Sequence, residues 1–418
     1  MIIAPYWCDP QHLGQYRIER FVRWLSEAGI VISIVASAEQ EMVSRTDWGH
    51  LICIPDPLGI YGKKSDLRFS PTVQPRNAFV VKVRQRLRLL AYALLSPDPG
   101  VLWARRAMRH PLVMEYAGKA DAILSSSFPE SVHVAASHLA SKFQLPLLID
   151  MRDGWLDEPM KPLLVSSALQ RWREALTEKR ILKQACLITL TSERWKTMLV
   201  ERLPFCREKT VAVTNAYPPG TQLPLLTKKD QGRHLQLMYA GRIFSSRAER
   251  KIADLLQPLL NGLRGAHGNL IFVGDLSIAE IAGLRSWEEQ FRVINWTIEI
   301  RSLVPRQAVL ELVSNADGLI MLSSSQASIP AKLFDYLVSG HPILALAPMD
   351  SIVGEISTRL SQLFVADYSD SENATKRIGQ FMTACQDCVA YPLPTEFSDE
   401  STRQQFMSAF LNALEKAA

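Results

Sequence analysis

The 418-residue sequence predicts an α/β protein made of two Rossmann-like, doubly wound domains. Three observations point there. Short β-rich apolar runs alternate with helix-like stretches almost throughout, as in parallel sheets covered by helices on both faces. One segment, 217–234 (YPPGTQLPLLTKKDQGRH), gathers three prolines, two glycines and a charged cluster, as linkers do. It leaves about 220 residues before it and about 180 after it, each a suitable length for one such domain. Ligands of doubly wound sheets bind at the carboxyl ends of the strands, so two domains facing a central cleft would hold the site there. The expected organisation is an N-terminal Rossmann-like domain over 1–216, the linker, a C-terminal Rossmann-like domain over 235–395, and a terminal helix over 396–418. Phe406, Phe410, Leu411 and Leu414 give that helix an apolar stripe suited to packing back on the N-terminal domain.

The expected strands follow the apolar runs. In the first half these are Ile2–Ala4, Ile30–Val35, Leu51–Ile54, Ala122–Leu124, Leu147–Ile149, Leu187–Leu190 and Val211–Val213. Amphipathic helices fill 15–28, 130–143 and 166–184 between them. The second half offers Leu235–Ala240, Leu270–Val273, Arg292–Ile294, Gly318–Leu322, Ile343–Leu346 and Leu363–Ala366. No short-period repeat is present.

Composition narrows the class. Hydrophobic residues make up 47% and charged residues 21%, ordinary for a soluble globular protein. The formal charge of +5 is too small to argue for nucleic acid. The N-terminal MIIAPYWCDP lacks the basic region and apolar length of a signal peptide, and no apolar run is long enough to span a bilayer. Of six cysteines, Cys8, Cys53 and Cys186 lie in or beside apolar runs, as buried free thiols do, while Cys385 and Cys388 form a lone CxxC. A reducing cytoplasm is the expected location.

The stretch 329–348, IPAKLFDYLVSGHPILALAP, is the most informative. Ser328 suits a helix N-cap and Pro330 a first helical turn. Gly340 suits the left-handed exit, Pro342 blocks resumption, and Ile343–Leu346 reads as a core strand. The small polar run Ser323–Ser328 would leave backbone N–H groups at the helix start for an anion such as phosphate. Lys332 and Asp335, three apart, share one face beside it. A capped helix with a surface ion pair is the alternative reading of the same residues.

A second stretch, LMYAGRIFSSR over 237–247, places Gly241-Arg242 after a strand and Arg247 five residues on. A third, LPLLIDMRDGW over 145–155, delivers Asp150, Arg152, Asp153 and Trp155 at the end of a buried strand; charge is costly there unless paired or used. A structural Asp–Arg pair is the alternative. His133 reads as a core-facing or capping histidine. His12-Leu13-Gly14-Gln15-Tyr16-Arg17 follows the first strand and opens a helix; a simple βα turn would explain Gly14 equally well.

In this order the three stretches resemble the GT-B glycosyltransferases, and within them the retaining, nucleotide-sugar-dependent enzymes of glycosyltransferase family 4. The resemblance runs from Gly14 to about Asp367. It implies that Arg242 and Arg247 hold the donor diphosphate, with Arg247 where Lys is usual. It implies donor binding by Gly14, Gly241 and the run Ser328, Ile329, Pro330, Ala331 and Lys332, with Asp335 on the ribose hydroxyls. Arg152 and Asp153 would line the reaction centre. The family's first acid, eight residues before Asp335, falls on Ala327, a departure that leaves the donor sugar open. Such enzymes stabilise the leaving phosphate with cations, so no metal and no cofactor beyond the donor are expected.

Residues 76–109 hold eight Lys or Arg against one acid, Asp98. Val83, Leu87, Leu90 and Leu94 share one helical face there, flanked by Lys82, Arg84, Arg86 and Arg88. A basic amphipathic helix of this type suits an anionic membrane surface, or a core helix with a basic rim. The family resemblance implies a hexosyltransferase-like transfer from a nucleotide sugar to a glycan or lipid-linked acceptor in bacterial surface polysaccharide or glycolipid synthesis. The protein would be cytoplasmic, peripheral on the inner face of the membrane, and without nucleic-acid partners. A GT-B nucleotide-sugar epimerase and a catalytically degenerate GT-B partner protein are the rival readings.

Overall fold

The computed structural model describes residues 1–9, 13–56, 59, 61, 95–158, 168–223, 234–243, 251–304 and 306–417. Arg247, His12, the 224–233 part of the linker and the 82–94 part of the basic stripe, with Arg76, lie outside the described residues. The chain forms two compact units, one of Met1–Thr214 with Arg403–Ala418, the other of Asn215–Thr402.

The first unit holds an eight-stranded sheet: β1 (Ile2–Ile3), β2 (Ile32–Ala38), β3 (Met42–Thr46), β4 (Gly49–Pro55), β5 (Ile123–Ser126), β6 (Leu147–Met151), β7 (Leu187–Leu190) and β8 (Thr210–Ala212). Their order is β3-β4-β2-β1-β5-β6-β7-β8, and every pairing is parallel except β3 on β4. The central strands are buried from end to end, all five residues of β6 among them, as strands covered on both faces must be. Strand β3 escapes a search for apolar runs because it is largely exposed; a two-residue Asp47-Trp48 turn folds it onto β4. One core face collects Phe21, Trp24, Ile34 and Leu148 with Phe406, Phe410 and Ala413 of the C-terminal helix Asp399–Ala417. Phe406 stacks on Phe21 with ring centroids 4.1 Å apart.

The second unit holds six parallel strands: β9 (Leu235–Ala240), β10 (Gly268–Val273), β11 (Trp296–Arg301), β12 (Gly318–Leu322), β13 (Ile343–Leu346) and β14 (Leu363–Ala366). Their order, β11-β10-β9-β12-β13-β14, is the doubly wound 3-2-1-4-5-6 arrangement. The sheet therefore reverses its winding between β9 and β12. In the first unit the same reversal falls between β1 and β5.

Two local expectations are corrected. Arg292–Ile294 is not a strand: Arg292 and Val293 close the helix Glu288–Val293, Asn295 turns the chain at φ 64°, and the strand starts at Trp296. Two apolar residues, Val293 and Ile294, cannot distinguish a helix end from a strand, whereas WTIEIR carries the true alternation. Ser328 is not an N-cap and Pro330 is not in a helical turn. The helix is Lys332–Leu337, capped by the backbone of Ala331 with no side-chain bond. Gly340 does take the left-handed φ of 68°. Cys8 is exposed rather than buried, and all six cysteines are free thiols.

Candidate functional site

In the second unit, β9 and β12 present their carboxyl ends at the winding reversal, where neighbouring loops part. Gly241-Arg242 leaves β9, and Ser323–Ala331 leaves β12. Gly241 has φ 93° and Gly274, after β10, has φ 155°, both permissive only for glycine. A Cβ on Gly274 would lie 3.0 Å from the Cα of Gly241, so these two turns touch through backbone. Lys332 reaches back over the same turn. Its Nζ would be 3.6 Å from a Cβ on Gly241, and it sits 3.9 Å from the centre of the Tyr239 ring. Tyr239 serves both neighbours, because its hydroxyl donates to the Arg242 carbonyl at 3.2 Å.

Arg242 is held by Asp275. Its Nε donates to the Asp275 backbone carbonyl at 3.0 Å and its Nη2 to the Asp275 carboxylate. Tyr336 fixes the two strands: its hydroxyl accepts from Ala240 N at 2.8 Å and donates to Ile320 O at 3.2 Å. Burial pushes that phenol well above its usual range, so it stays a neutral donor. Glu280, 2% exposed, accepts from the amides of Ile243 and Ser277, fastening the Gly241 turn to the helix Ile278–Arg285 that follows β10.

The helix start differs from a bare anion site. The Ser328 amide donates to Ser325 Oγ, Leu333 N to Pro330 O, and Phe334 N to Ala331 O. Several of the N–H groups expected to face a phosphate are thus occupied, which shifts the positive character of this corner toward Lys332 and Arg242. Asp335 is half-buried on the six-residue helix.

In the first unit a shallow, open pocket lies at the β1/β5 reversal. Tyr6, Trp7, Gly14, Ser126, Phe128 and Arg152 are among its walls. Behind it stands a buried ion pair. Asp150 is wholly buried, and Arg17 grips it through Nε and Nη2 at 2.7–3.1 Å. Ser126 and Thr189 each donate to the same carboxylate at 2.6 Å. Burial pushes the Asp150 carboxyl up, but the Arg17 charge and these donors outweigh it and hold it below the usual range. Arg17 also donates to Val213 O at 2.9 Å. A structural Asp–Arg pair, the alternative reading of this stretch, does form, but its arginine is Arg17 and not Arg152. Arg152 is left for the pocket, Asp153 is exposed outside it, and Trp155 is buried with its indole on Glu174.

No family model matches the sequence, and no curated protein is similar to it in sequence. Solved structures are similar in fold. HepE of Anabaena, in complex with UDP and glucose, aligns with a TM-score of 0.60 at 12% identity over 98% of each chain. The lipopolysaccharide outer core galactosyltransferase WaaB, in its apo form, gives 0.60 at 11% over 98% of each chain. Sucrose-phosphate synthase of Thermosynechococcus elongatus gives 0.58 at 12%, covering 99% of this chain and 96% of that one. The chain has the GT-B fold.

Within this GT-B chain the sequence-selected residues fall into two groups. Gly14 and Arg152 share the first unit's pocket. Gly241, Arg242 and Lys332 converge in the second, with Ser328, Ile329, Pro330, Ala331 and Asp335 on the segment that carries Lys332. Sequence reasoning missed Asp275, Tyr239, Tyr336 and Glu280. One signal was available: FVGD over 272–275 repeats the strand–Gly–charge order of MYAGR over 238–242. Among the described residues no group of three His, Cys, Asp or Glu side chains is placed to hold a metal ion.

Proposed function

We propose that this GT-B protein is a glycosyltransferase moving a hexose from a nucleotide-sugar donor to a glycan or lipid-linked acceptor. The observation that carries the reading is the convergence of Arg242 and Lys332 on the Gly241 turn, at the winding reversal of the second sheet. Nucleotides bind doubly wound sheets at that point. Two glycine turns permit close approach, and two cations suit a diphosphate whose charge grows as the sugar leaves. Asp335, one helical turn from Lys332, would take the ribose hydroxyls. The pocket of the first unit, with aromatic walls and one arginine, suits a polar acceptor that stacks a ring face on Tyr6, Trp7 or Phe128.

The donor's leaving group is met by side-chain cations in this reading, so turnover would need no metal. Retention of configuration, membership of family 4 and a place in surface polysaccharide or glycolipid synthesis complete the proposal from the motifs. UDP-sugars head the donor candidates because HepE is in complex with UDP and glucose. A preorganised cation at a leaving group is worth about 3 kcal/mol, so Arg242→Ala should lower transfer about a hundredfold or more. Sugar transfer or donor hydrolysis by Arg242→Ala at the wild-type rate would remove Arg242 from the site.

A second reading is a degenerate GT-B protein that supports an active partner. Ala327 favours it: this position is 1% exposed and lacks the acid that the motif carries. Nucleotide-sugar turnover by the purified chain alone would exclude it.

A further inference from the structure

The helix Ala168–Gln184 is turned inside out. Its acids face the core. Glu174 and Glu178 are both wholly buried, Glu174 accepting from the Trp155 indole at 2.9 Å and Glu178 pairing with Arg202 at 2.6 and 2.8 Å. Three of its large apolar residues face water, Leu169 at 58% exposed, Trp172 at 59% and Leu176 at 50%, while Ile181 and Leu182 in its last turn are buried. At about 100° per residue these three lie within roughly 60° of arc, opposite the buried Gln170, Glu174, Glu178 and Ile181. Arg173, Lys179, Arg180 and Lys183 are exposed on the same side, within an arc of about 120°. Arg171 is exposed on the opposite side, at the start of the helix, and no acid of this helix reaches solvent.

An ordinary surface helix turns its apolar stripe inward. Here an exposed Leu–Trp–Leu stripe is laced with cations alone. At the helix end the cationic edge continues through Lys183 and Lys209, whose ammonium groups lie 5.8 and 5.6 Å from the exposed Phe205 ring. Apolar anchors with a tryptophan, ringed by Lys and Arg, match the chemistry of an anionic lipid surface. The chains enter the headgroup boundary, the indole sits at the interface, and the cations meet lipid phosphates. We infer that the solvent face of Ala168–Gln184 docks the protein on anionic membrane lipid. This segment is distinct in sequence from the basic stripe at 76–109, and its assignment does not depend on the transferase reading.

The test is co-sedimentation of the full chain with phosphatidylglycerol–phosphatidylcholine vesicles and with phosphatidylcholine vesicles, at low and high salt. The wild type should pellet with the anionic vesicles, lose most of that binding at high salt, and stay in the supernatant with neutral ones. The triple substitution Leu169→Ser, Trp172→Ser and Leu176→Ser should weaken partition at least roughly tenfold. Arg173→Glu with Arg180→Glu should do the same by reversing charge. All five positions are solvent-exposed, so circular dichroism and melting temperature should match the wild type in both variants. A wild type that ignores anionic vesicles would overturn the inference. So would a folded triple variant that binds as well as the wild type. A wild-type dimer that the triple substitution dissolves, without vesicle binding, would overturn it too and assign the face to a second copy of the chain.

Discussion

At the residue scale, buried polar groups explain most of what the motifs could not. Asp150 read equally as a site acid or as half of a structural pair, and only its four donors decide for structure. His133 is wholly buried, with Nδ1 2.8 Å from Ser125 Oγ and its ring 5.5 Å from that of Trp155. Burial drives its pKa from 6.5 down to about 3, against a smaller opposing pull from the Asp150 charge. The folded state thus takes up this proton far later than the unfolded chain. Stability from neutral His133 is present above pH 6.5 and is lost as pH falls through the window down to about 3. Between pH 6.5 and about pH 5, wild-type unfolding free energy should fall by roughly 2 kcal/mol more than that of His133→Gln. Parallel urea-midpoint profiles for the two proteins would show that His133 is not buried neutral. The depressed Asp150 carboxyl adds a further loss at lower pH, once the unfolded carboxyl begins to protonate. Lys332 was legible as a site cation from its spacing to Asp335. Its perch on Tyr239 was not, because the contact joins residues 93 apart, as the numbering of the two positions shows.

At the scale of elements, apolar runs located the core strands closely. Leu187–Leu190, Leu235–Ala240, Gly318–Leu322, Ile343–Leu346 and Leu363–Ala366 have the bounds the sequence suggested. Failure came where burial does not write the pattern. The exposed β3 has no apolar run and was missed, whereas the helix expected over 166–184 is present at Ala168–Gln184, and only the outward facing of Leu169, Trp172 and Leu176 was not legible. The glycine turns make a sharper prediction. Gly274→Ala must push its Cβ against the backbone of Gly241, 3.0–3.2 Å away, at a φ that alanine resists. The displaced Gly241-Arg242 turn should weaken nucleotide binding, read by titration calorimetry, while far-UV circular dichroism stays native; unchanged affinity would detach this turn from the site. The C-terminal helix makes another. Phe406 is fully buried against Phe21 and Trp24, so Phe406→Ala should cost about 3–5 kcal/mol, measured by urea unfolding. A loss under about 1 kcal/mol would mean that this helix is not part of the first unit's core.

At the scale of the whole molecule, alternation of strands and helices sufficed for two doubly wound sheets, and each sheet order then fixes where its loops diverge. A ligand's chemistry is decided by a few side chains there, which is why the fold was more legible than the donor. In the proposed function the second unit binds a nucleoside diphosphate and its sugar through Arg242, Lys332 and Asp335. The most direct measurement is the thermal shift of the full chain with a panel of nucleoside diphosphates and nucleotide sugars, for wild type, Lys332→Ala and Asp335→Ala. The melting temperature should rise with one base, with apparent affinity at least roughly tenfold weaker in either variant. No shift with any nucleotide, or an equal shift in all three proteins, would contradict it.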